Sequence, residues 1–401
     1  MAIQTLDRVD VSGKRVLMRV DFNVPLEKGA VADDLRIVAA LPAIDSVLSR
    51  GGSVVLISHL GRPEGTGVEE KYSLRPVAAR LAELRPAAKV SFPSADCVDA
   101  AAAAAVAALR PGEVLLLENL RFHGGEKRGD PAFAAKLAAY GDIYCNDAFG
   151  TAHRPDASMV AVPKAMAPKP RVMGPLMAKE VNYLRDAVAH AKRPVAVVLG
   201  GAKVSDKIGV IEHCIDRVDF ILVGGAMAYT FLKALGRRVG SSRVEEGKVK
   251  DAHAMIQRLA ESPTKGMLPI DHVCGKELAE GTPVKVFDEQ IEDGWMGLDI
   301  GPRSVIRFAE PLREAGTIVW NGPLGAFETR PFDAGTRLIA EVIARQTQRG
   351  ATTIIGGGDT AAAVESFGLA DQFSHVSTGG GASLELLEGR EFESLKVLDQ
   401  V

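Results

Sequence analysis

Short runs of apolar residues alternate with alanine-rich stretches along most of this 401-residue chain. The spacing of apolar residues in the alanine-rich stretches predicts helices, for example over Ile37–Leu48, Val77–Leu84 and Asp99–Leu109. Near-continuous apolar strands joined by helices are typical of a parallel sheet covered on both faces, so we expect an α/β protein. The predicted strands are Arg15–Val20, Val54–Ser58, Val114–Leu117, Ile143–Asp147, Val195–Leu199, Phe220–Val223, Thr317–Trp320, Thr352–Ile355 and Phe373–Thr378.

The chain is longer than one hydrophobic core usually serves, so we expect two domains. Prolines are dense over Val162–Pro175, which indicates a linker, and Leu176–Ala191 has the spacing of an unbroken helix. We therefore expect two Rossmann-like domains, each a parallel sheet sandwiched by helices, joined by a hinge helix. The predicted boundaries are residues 1–170, residues 171–385 and a C-terminal tail of residues 386–401.

Composition and charge exclude several classes of function. Hydrophobic residues make up 47% and charged residues 25%, as in a soluble globular protein. The net charge of −3 gives no support for a nucleic-acid partner or an anionic membrane surface. The four cysteines are widely spaced, the N-terminus lacks the apolar segment of a signal peptide, and no apolar run reaches the roughly 18–20 residues of a membrane span. We expect a cytoplasmic protein without nucleic-acid or membrane partners.

Cationic and polar side chains follow each predicted strand of the first half. Ligands of open parallel sheets bind beyond the carboxyl ends of the strands, so these side chains are expected to converge. Arginine forks match phosphate and carboxylate oxygens, which predicts a small substrate with several negative charges. The residues in question are Asp21, Asn23, Arg36, His59, Arg62, Arg121, His123, His153 and Arg154.

Small residues, mostly glycine, follow the strands of the second half. The stretch Gly356–Thr360 joins a predicted strand to a predicted helix, whose free N–H groups and dipole favour phosphate. Asp359 supplies a carboxylate where a Mg²⁺ ion on phosphates needs one. Lys203 and Lys207, four residues apart, could share one helix face and reach a transferring phosphoryl group. This half is predicted to bind a nucleotide.

Missing motifs exclude two classes of nucleotide-binding protein, and two other classes remain as alternatives. The chain has neither the G-x-x-x-x-G-K-[ST] loop of P-loop NTPases nor the protein-kinase motifs. Gly356-x-Gly358-x-x-Ala361 fits a variant of the dinucleotide fingerprint, so a dinucleotide oxidoreductase that binds NAD(H) without magnesium is one alternative. A non-catalytic nucleotide-binding protein is another, although it would not need the arginine cluster.

A set of motifs, in order from about Arg19 to Leu387, resembles the phosphoglycerate kinase family. The motifs are Arg19–Pro25 (RVDFNVP), Ser58–Pro63 (SHLGRP), Glu118–Phe122 (ENLRF), Ala152–Arg154 (AHR), Gly200–Lys207 (GGAKVSDK), Val319–Pro323 (VWNGP), Gly356–Thr360 (GGGDT) and Ser377–Gly381 (STGGG). The segment Met267–Val286 is less typical but lies between motifs.

The resemblance implies reversible transfer of the acyl phosphate of 1,3-bisphosphoglycerate to ADP, by direct in-line transfer with hinge closure, in a monomer. It implies that the first domain binds 3-phosphoglycerate or 1,3-bisphosphoglycerate through Asp21, Asn23, Arg36, His59, Arg62, Arg121 and Arg154. The second domain is implied to bind MgADP or MgATP, with Asp359 as the metal ligand and the tail returning to the first domain. Its implied nucleotide-binding residues are Lys203, Lys207, Gly224, Gly225, Gly297, Leu298, Asn321, Glu328, Gly357, Gly358, Asp359 and Thr360. The implied catalytic residues are Arg36, Lys203, Lys207, Gly358 and Gly381.

Overall fold

The computed structural model describes residues 3–189, 191–377 and 379–401, with the backbone alone over 186–189. The chain divides into two compact units. Unit 1 comprises Met1–Glu180 and Glu391–Val401, and unit 2 comprises Val181–Arg390.

Unit 1 is built on a six-stranded parallel sheet. The central strand is β1 (Arg15–Arg19), whose Val16, Leu17 and Met18 are fully buried because helices cover both faces of the sheet. In spatial order the strands are β5 (Lys89–Ser91), β6 (Glu113–Leu116), β4 (Ser53–Ile57), β1, β7 (Ile143–Asn146) and β8 (Arg171–Met173). A hairpin of β2 (Leu26–Glu27) and β3 (Ala30–Val31) follows β1.

The helices of unit 1 start where the sequence supplies capping residues. The Asp99 carboxylate accepts a hydrogen bond from Ala102 N at the start of α3, and the Asp130 carboxylate does the same for Phe133 N in α5. The helices are α1 (Leu35–Ser49), α2 (Arg75–Leu84), α3 (Ala100–Ala108), α4 (Gly124–Arg128), α5 (Pro131–Ala138), α6 (Ala161–Met166) and α7 (Pro175–Ala189), which continues along the chain into unit 2.

Unit 2 contains a second six-stranded parallel sheet and a smaller antiparallel one. In spatial order the parallel strands are β11 (Lys265–Met267), β10 (Phe220–Val223), β9 (Val195–Leu199), β15 (Thr317–Asn321), β16 (Thr352–Gly356) and β17 (His375–Val376). The antiparallel strands are β13 (Val284–Phe287), β12 (His272–Gly275) and β14 (Met296–Ile300). The helices are α8 (Ile208–Cys214), α9 (Met227–Ala234), α10 (Val249–Glu261), α11 (Pro302–Glu314), α12 (Ala334–Gln348), α13 (Gly358–Ser366) and α14 (Gly381–Leu387).

The last residues of the chain, including α15 (Glu393–Lys396), pack within unit 1. Asp399 binds Arg171 through both carboxylate oxygens: Oδ1 accepts from Nε at 3.0 Å, and Oδ2 accepts from the backbone N at 2.8 Å. Gln4 N donates to Asp399 O at 2.8 Å. The two ends of the chain are therefore tied together through backbone and side-chain hydrogen bonds.

The predicted fold class, α/β with two parallel sheets flanked by helices, is confirmed. The prediction of a linker over Val162–Pro175 is wrong, because this stretch contributes most of α6 and all of β8, which pairs with β7. Pro163 lies in the first turn of α6, and Pro168 and Pro170 lie between α6 and β8. The small antiparallel sheet was not expected from the sequence. Of the predicted strand Phe373–Thr378, only His375–Val376 is a strand, and Thr378 lies outside the described residues, as does His190 near the end of the predicted hinge helix.

Candidate active site

The polar residues predicted for unit 1 follow neighbouring strands of its sheet. Asp21 follows β1, His59 follows β4, Arg121 lies in a 3₁₀ turn after β6, and Arg154 lies beyond β7. Strands β6, β4, β1 and β7 are adjacent and parallel. Their carboxyl ends therefore meet at one edge of the sheet, and the side chains after them gather there.

Asp21 and Asn23 connect the loops of this cluster. Asp21 Oδ2 accepts a hydrogen bond from Arg36 Nη1, in the first turn of α1, at 2.8 Å. Asn23 Oδ1 accepts from Gly61 N at 2.8 Å, which ties the loop after β1 to the loop after β4. The other oxygen of Asp21, Oδ1, is buried and has no hydrogen-bond partner among the described residues. It is an acceptor available to a ligand.

Arg121 is a buried cation with incomplete partners. Its Nη1 donates to Gly61 O at 3.0 Å and its Nη2 to Asp156 at 3.3 Å, whereas Nε is buried without a partner among the described residues. Burial lowers the pKa of this guanidinium, Arg154 and Arg19 lower it further, and Asp156 opposes them. A buried cation that lacks an acceptor indicates a place for an anion.

His59 is a neutral imidazole rather than another cation of the cluster. Burial lowers its pKa well below the usual 6.5, and so do the charges of Arg19, Arg121, Arg154 and Arg36. Arg19 Nη2 lies 3.2 Å from His59 Nδ1, and because a guanidinium only donates, Nδ1 is the acceptor and Nε2 carries the proton. The 3.8 Å approach of Nδ1 to Asp21 is therefore not an ion pair.

Arg19 belongs to this site, although it was not among the predicted site residues. It is fully buried at the end of β1, and its Nε donates to Ser158 Oγ at 2.9 Å. Ser158 in turn donates through its backbone N and Oγ to the carboxylate of Glu126, at 2.9 and 2.6 Å. Burial raises the pKa of Glu126, and the charge of Arg19 lowers it. An arginine inside an otherwise apolar strand was the sequence signal for this network.

Arg62 and Arg154 are less firmly held than the rest of the cluster. Arg154 Nε lies 3.5 Å from His153 Nε2, at the limit of a hydrogen bond. Arg62 is exposed and makes no hydrogen bond or ion pair with the described residues. Its place in the loop directly after Gly61 is what associates it with the site.

Lys207 is the buried cation of unit 2. It is 7% exposed, and its Nζ donates to Asn321 Oδ1 at the end of β15. Burial lowers the pKa of its ammonium group to about 8, whereas Asp206, Asp359 and Glu388 raise it. Because Asp359 is one of these carboxylates, Lys207 lies at the same edge of the sheet as the first turn of α13.

Lys203 and Lys207 do not share a helix face, so that prediction is wrong. Helix α8 begins at Ile208, and Lys203 lies in the bend before it with an exposed side chain. The turn between them is fixed by Glu245, whose carboxylate accepts from Ser205 N at 3.0 Å and from Ser205 Oγ at 2.8 Å. Burial raises the pKa of Glu245, but hydrogen bonds from Ser205 and Val204, with a smaller contribution from the charge of Lys203, lower it overall.

The glycines after the strands of unit 2 fall into two groups. A Cβ on Gly200 would lie 2.1 Å from Pro323 O, and one on Gly225 would lie 2.6 Å from Gly201 N. These glycines are needed because loops of neighbouring strands pack backbone against backbone. A Cβ on Gly358 or Gly381 would meet nothing within 4 Å. The open space at the starts of α13 and α14 is therefore available to a ligand.

The first turn of α13 contains the Asp359 carboxylate, which has no hydrogen bond or ion pair with the described residues, and the Thr360 hydroxyl, which is hydrogen-bonded. Thr360 is buried, and its Oγ1 accepts from Gly322 N at 2.6 Å, so it holds the loop after β15. Asp359 is exposed in the same turn. Mg²⁺ typically binds one or two carboxylates together with substrate phosphate oxygens and waters. Asp359 fits a magnesium ion that arrives with a nucleotide.

Two of the predicted nucleotide-binding residues lie on the small antiparallel sheet. Gly297 and Leu298 are on β14, where Leu298 O accepts from Ala326 N at 2.8 Å in the loop after β15. A Cβ on Gly224 would lie 2.5 Å from Leu324 of that loop. Glu328, two residues beyond Ala326, is exposed and has no hydrogen bond or ion pair with the described residues. The structure thus brings Gly224 and Leu298 to the loop after β15, whereas the side chain of Glu328 makes no hydrogen bond or ion pair within the part of the chain that the structure describes.

In unit 1, cationic side chains follow the ends of parallel strands. In unit 2, a buried lysine and an exposed carboxylate lie by an open helix start. Together these features define a phosphotransferase of two sheet domains. The model of the family described as phosphoglycerate kinase matches residues 6–390. The chain belongs to the phosphoglycerate kinase family. The dinucleotide oxidoreductase alternative is therefore wrong.

Named relatives and solved structures match the chain over almost its whole length. The chain is 54% identical to the phosphoglycerate kinase of Rhodopirellula baltica over 404 aligned residues, which covers 100% of both chains. It is 50% identical to that of Thermosynechococcus vestitus over 402 residues, 99% of this chain and 98% of the relative. The phosphoglycerate kinase structure from Coxiella burnetii gives a TM-score of 0.90 at 37% identity, covering 99% of this chain and 98% of that one. The phosphoglycerate kinase structure from Pyrococcus horikoshii gives a TM-score of 0.83 at 31% identity, and the match covers 99% of this chain and 98% of that one.

Helices of the kind that cross a membrane, long and strongly apolar, are not found in the described part of the chain.

Proposed function

We propose that this chain transfers the acyl phosphate of 1,3-bisphosphoglycerate to ADP, and in reverse that of ATP to 3-phosphoglycerate. The observation that carries this proposal is the cluster of arginines at the carboxyl edge of the parallel sheet in unit 1. Four arginines, Arg19, Arg36, Arg121 and Arg154, surround a neutral His59. Asp21 pairs with Arg36 and Asp156 with Arg121, but the buried Nε of Arg121 lacks an acceptor among the described residues, so an anionic ligand fits the donors that remain.

In unit 1, the phosphoglycerate is bound by the cluster of Asp21, Asn23, Arg36, His59, Arg62, Arg121 and Arg154. The buried Nε of Arg121 and the Nε2 proton of His59 supply donors, and Asp21 Oδ1 is an acceptor for a substrate hydroxyl. Arg36 uses Nη1 for Asp21 while its side chain is 38% exposed, which leaves donors for the transferring group.

In unit 2, the nucleotide is bound at the strand ends that carry Lys207, Asn321 and the first turn of α13. Asp359 would hold the magnesium ion, which would neutralise charge on the nucleotide phosphates. The backbone N–H groups at Gly358 and Gly381 would donate to phosphate oxygens, because both positions are open. Gly224, Gly225, Gly297, Leu298 and Glu328 are proposed for the adenine and ribose side, with Lys203, Gly357 and Thr360 at the phosphates.

The reaction needs no general base. In the ATP-consuming direction the acceptor is a carboxylate, which is already ionised near neutral pH. Catalysis then depends on in-line positioning and on charge at the three equatorial oxygens of the transferring group. Arg36 and Lys207 are proposed to stabilise that charge, with Lys203 beside them. Neutral His59 acts as a hydrogen-bond donor rather than as a base.

Because the two substrates bind to different units, transfer requires the units to close on each other and to exclude water from the acyl phosphate. The hinge is proposed within residues 162–191, where α7 passes from one unit to the other along the chain. Small-angle scattering should show compaction only when both substrates are present. An unchanged scattering profile with both bound would contradict the closure.

We further propose that the protein is a cytoplasmic monomer. The four cysteines are all free and buried, as is usual for a reducing compartment. The chain itself carries both the anion-binding cluster and the nucleotide-binding strand ends, so the reaction needs no second copy.

A coupled assay with ATP, Mg²⁺ and 3-phosphoglycerate tests the proposed function. The wild-type chain should turn over, and Arg36→Ala and Asp359→Ala should each lower the rate by about 10²–10³-fold, as for loss of one charge-stabilising group. Arg307→Ala, on the exposed face of α11, is the control and should retain full activity. A wild-type chain that binds nucleotide but does not turn over would instead support the non-catalytic binding protein.

A further inference from the structure

Three side chains of unit 1 that take no part in the proposed reaction bring metal-ligating atoms together. Asp96, Cys97 and His123 each place one ligand atom within 4.8 Å of the other two. His123 Nε2 lies 2.9 Å from Asp96 Oδ1. No other group of three such side chains this close is found where the structure describes the chain.

We propose that Asp96, Cys97 and His123 bind a thiophilic divalent metal ion of the zinc class. Donors of nitrogen, sulfur and oxygen in one set are typical of Zn²⁺ and Co²⁺, whereas Mg²⁺ requires oxygen ligands. The site is therefore distinct in chemistry from the proposed magnesium ligand Asp359. With three protein ligands, a water molecule completes a tetrahedron.

The geometry needs only small side-chain movements to accept an ion. Bonds of about 2.0–2.3 Å to zinc place tetrahedral ligand atoms roughly 3.5 Å apart. His123 Nε2 and Asp96 Oδ1, at 2.9 Å, must separate slightly, whereas the Cys97 sulfur already lies within 4.8 Å of a ligand atom of each. The side chain of Asp96 is 40% exposed, so it can rotate towards an ion, whereas Cys97 is 1% exposed and lies on the inner side of the site.

The ring and backbone of His123 are restrained by neighbouring residues. Its ring stacks on Phe133 with centroids 5.1 Å apart and an interplanar angle of 28°. Its backbone N donates to Leu120 O at 3.1 Å, and the residue forms an antiparallel bridge with Thr66. Ligands fixed in this way lose little conformational freedom when a metal binds.

An ion can reach the site from solvent, and its charge is balanced there. Asp96 and His123 line a cavity of about 580 Å³ next to the Gly65–Val68 loop. The cavity wall also contains Asp130, Arg128 and Lys136, so its other fixed charges include both signs. The divalent ion displaces the thiol proton of Cys97, which goes to solvent, and the resulting thiolate and the Asp96 carboxylate neutralise the ion.

Titration of the full-length chain with Co²⁺, without nucleotide or substrate, tests the proposal. The wild-type chain should bind one equivalent with a thiolate-to-cobalt charge-transfer band, and Zn²⁺ but not excess Mg²⁺ should remove the band. Cys97→Ser should abolish the band, and Asp96→Asn and His123→Gln should weaken binding at least tenfold. Both of the latter side chains are partly exposed, so these variants should fold. Circular dichroism checks this.

Matched controls are Cys214→Ser, another buried free thiol, and His253→Gln, an exposed imidazole. Both should keep the band and the affinity. The proposal is overturned if the wild type shows no thiolate band, if the band survives Cys97→Ser, or if Mg²⁺ removes it. Because the titration involves neither substrate nor turnover, its failure leaves the proposed phosphoryl transfer unaffected.

Discussion

Lys207 Nζ donates a hydrogen bond to Asn321 Oδ1, and both side chains are buried: Asn321 ends β15, and Lys207 lies directly before α8, in the loop after the neighbouring strand β9. The Nδ2 group of Asn321 is also buried and has no hydrogen-bond partner among the described residues. A buried ammonium group whose acceptor is a neutral amide, and a buried amide N–H₂ group without an acceptor, are costly. An anion that accepts from both relieves that cost, so the pair favours bound phosphate.

The pH dependence of nucleotide use should follow Lys207. Burial lowers the pKa of this lysine to about 8, so the free enzyme loses the charge as the pH rises through that value. We expect kcat/KM for ATP to fall above pH 8, because this parameter reports the free enzyme. Lys207→Arg should move the decline to higher pH, since a guanidinium stays protonated. A decline at the same pH in Lys207→Arg would contradict the assignment.

The lowered pKa of Lys207 should also make the stability of the fold depend on pH. Its pKa is about 8 in the folded chain and near the usual 10.5 in the unfolded chain, so the unfolded chain binds more protons between these values. The free energy of unfolding should therefore rise with pH from about 8 to 10.5. Below pH 8, Lys207 should not affect how this free energy depends on pH. Urea unfolding of wild type and Lys207→Arg across this range measures it. Equal slopes for the two would count against the lowered pKa.

Alanine substitutions at two glycines of unit 2 should distinguish an effect on nucleotide binding from an effect on stability. At Gly358 a Cβ meets nothing within 4 Å and φ is not positive, so Gly358→Ala should leave the free energy of unfolding within about 0.5 kcal/mol while it weakens nucleotide binding. At Gly225, φ is +64° and a Cβ would lie 2.6 Å from Gly201 N, so Gly225→Ala should destabilise the fold by more than about 1 kcal/mol. Urea unfolding and nucleotide titration measure both effects. Unchanged nucleotide affinity in Gly358→Ala would show that the ligand does not approach this backbone.

The strand ends could be predicted from the sequence because a parallel sheet has strong geometric rules. Once β1, β4 and β6 are recognised as buried parallel strands, their carboxyl ends must lie at one edge, which brings Asp21, His59 and Arg121 together. The helix that begins at Gly358 was predictable for a similar local reason, since glycines and then alanines follow a β-branched strand.

Interactions between distant residues could not be predicted in this way. Helix α8 starts only at Ile208, and Ser205 before it is bound by Glu245, forty positions along the chain. The position of Lys203 therefore depends on a partner that no local pattern reveals. Likewise, Arg19 binds Ser158 across a sequence separation of 139, and whether His59 is charged depends on the arginines that the fold collects around it.

His59 should remain neutral well below its ordinary pKa. Burial, with four arginines nearby, lowers the pKa of the folded-state imidazole far below 6.5. As the pH falls below 6.5, the unfolded chain takes up a proton that the folded chain does not, so stability should fall by up to about 1.4 kcal/mol per pH unit. His59→Gln should remove this part of the slope. NMR of the ring nitrogens should show the Nε2–H tautomer, and titration near 6.5 would contradict the assignment.

Arg19 should be as important for stability as for the site. It is fully buried, and Arg19→Met would leave the buried carboxylate of Glu126 without its nearest opposing charge. Breaking such a buried charge arrangement typically costs about 3–5 kcal/mol, which urea unfolding would detect. The substitution also removes the donor to His59 Nδ1, so the pKa of His59 should rise in the same variant.

A double-mutant cycle distinguishes charge balance from simple loss of packing. If Glu126 is the residue left unbalanced, Arg19→Met combined with Glu126→Gln should cost at least about 1 kcal/mol less than the sum of the single substitutions. Glutamine keeps an acceptor for Ser158 and carries no charge. The matched control is Arg85→Met with Asp45→Asn. These two residues form a partly exposed ion pair at 2.6 Å. Its coupling energy should be about 0–1 kcal/mol, as for other surface pairs. Additive costs for Arg19 and Glu126 would mean that packing alone explains the loss, and that the buried charges do not depend on each other.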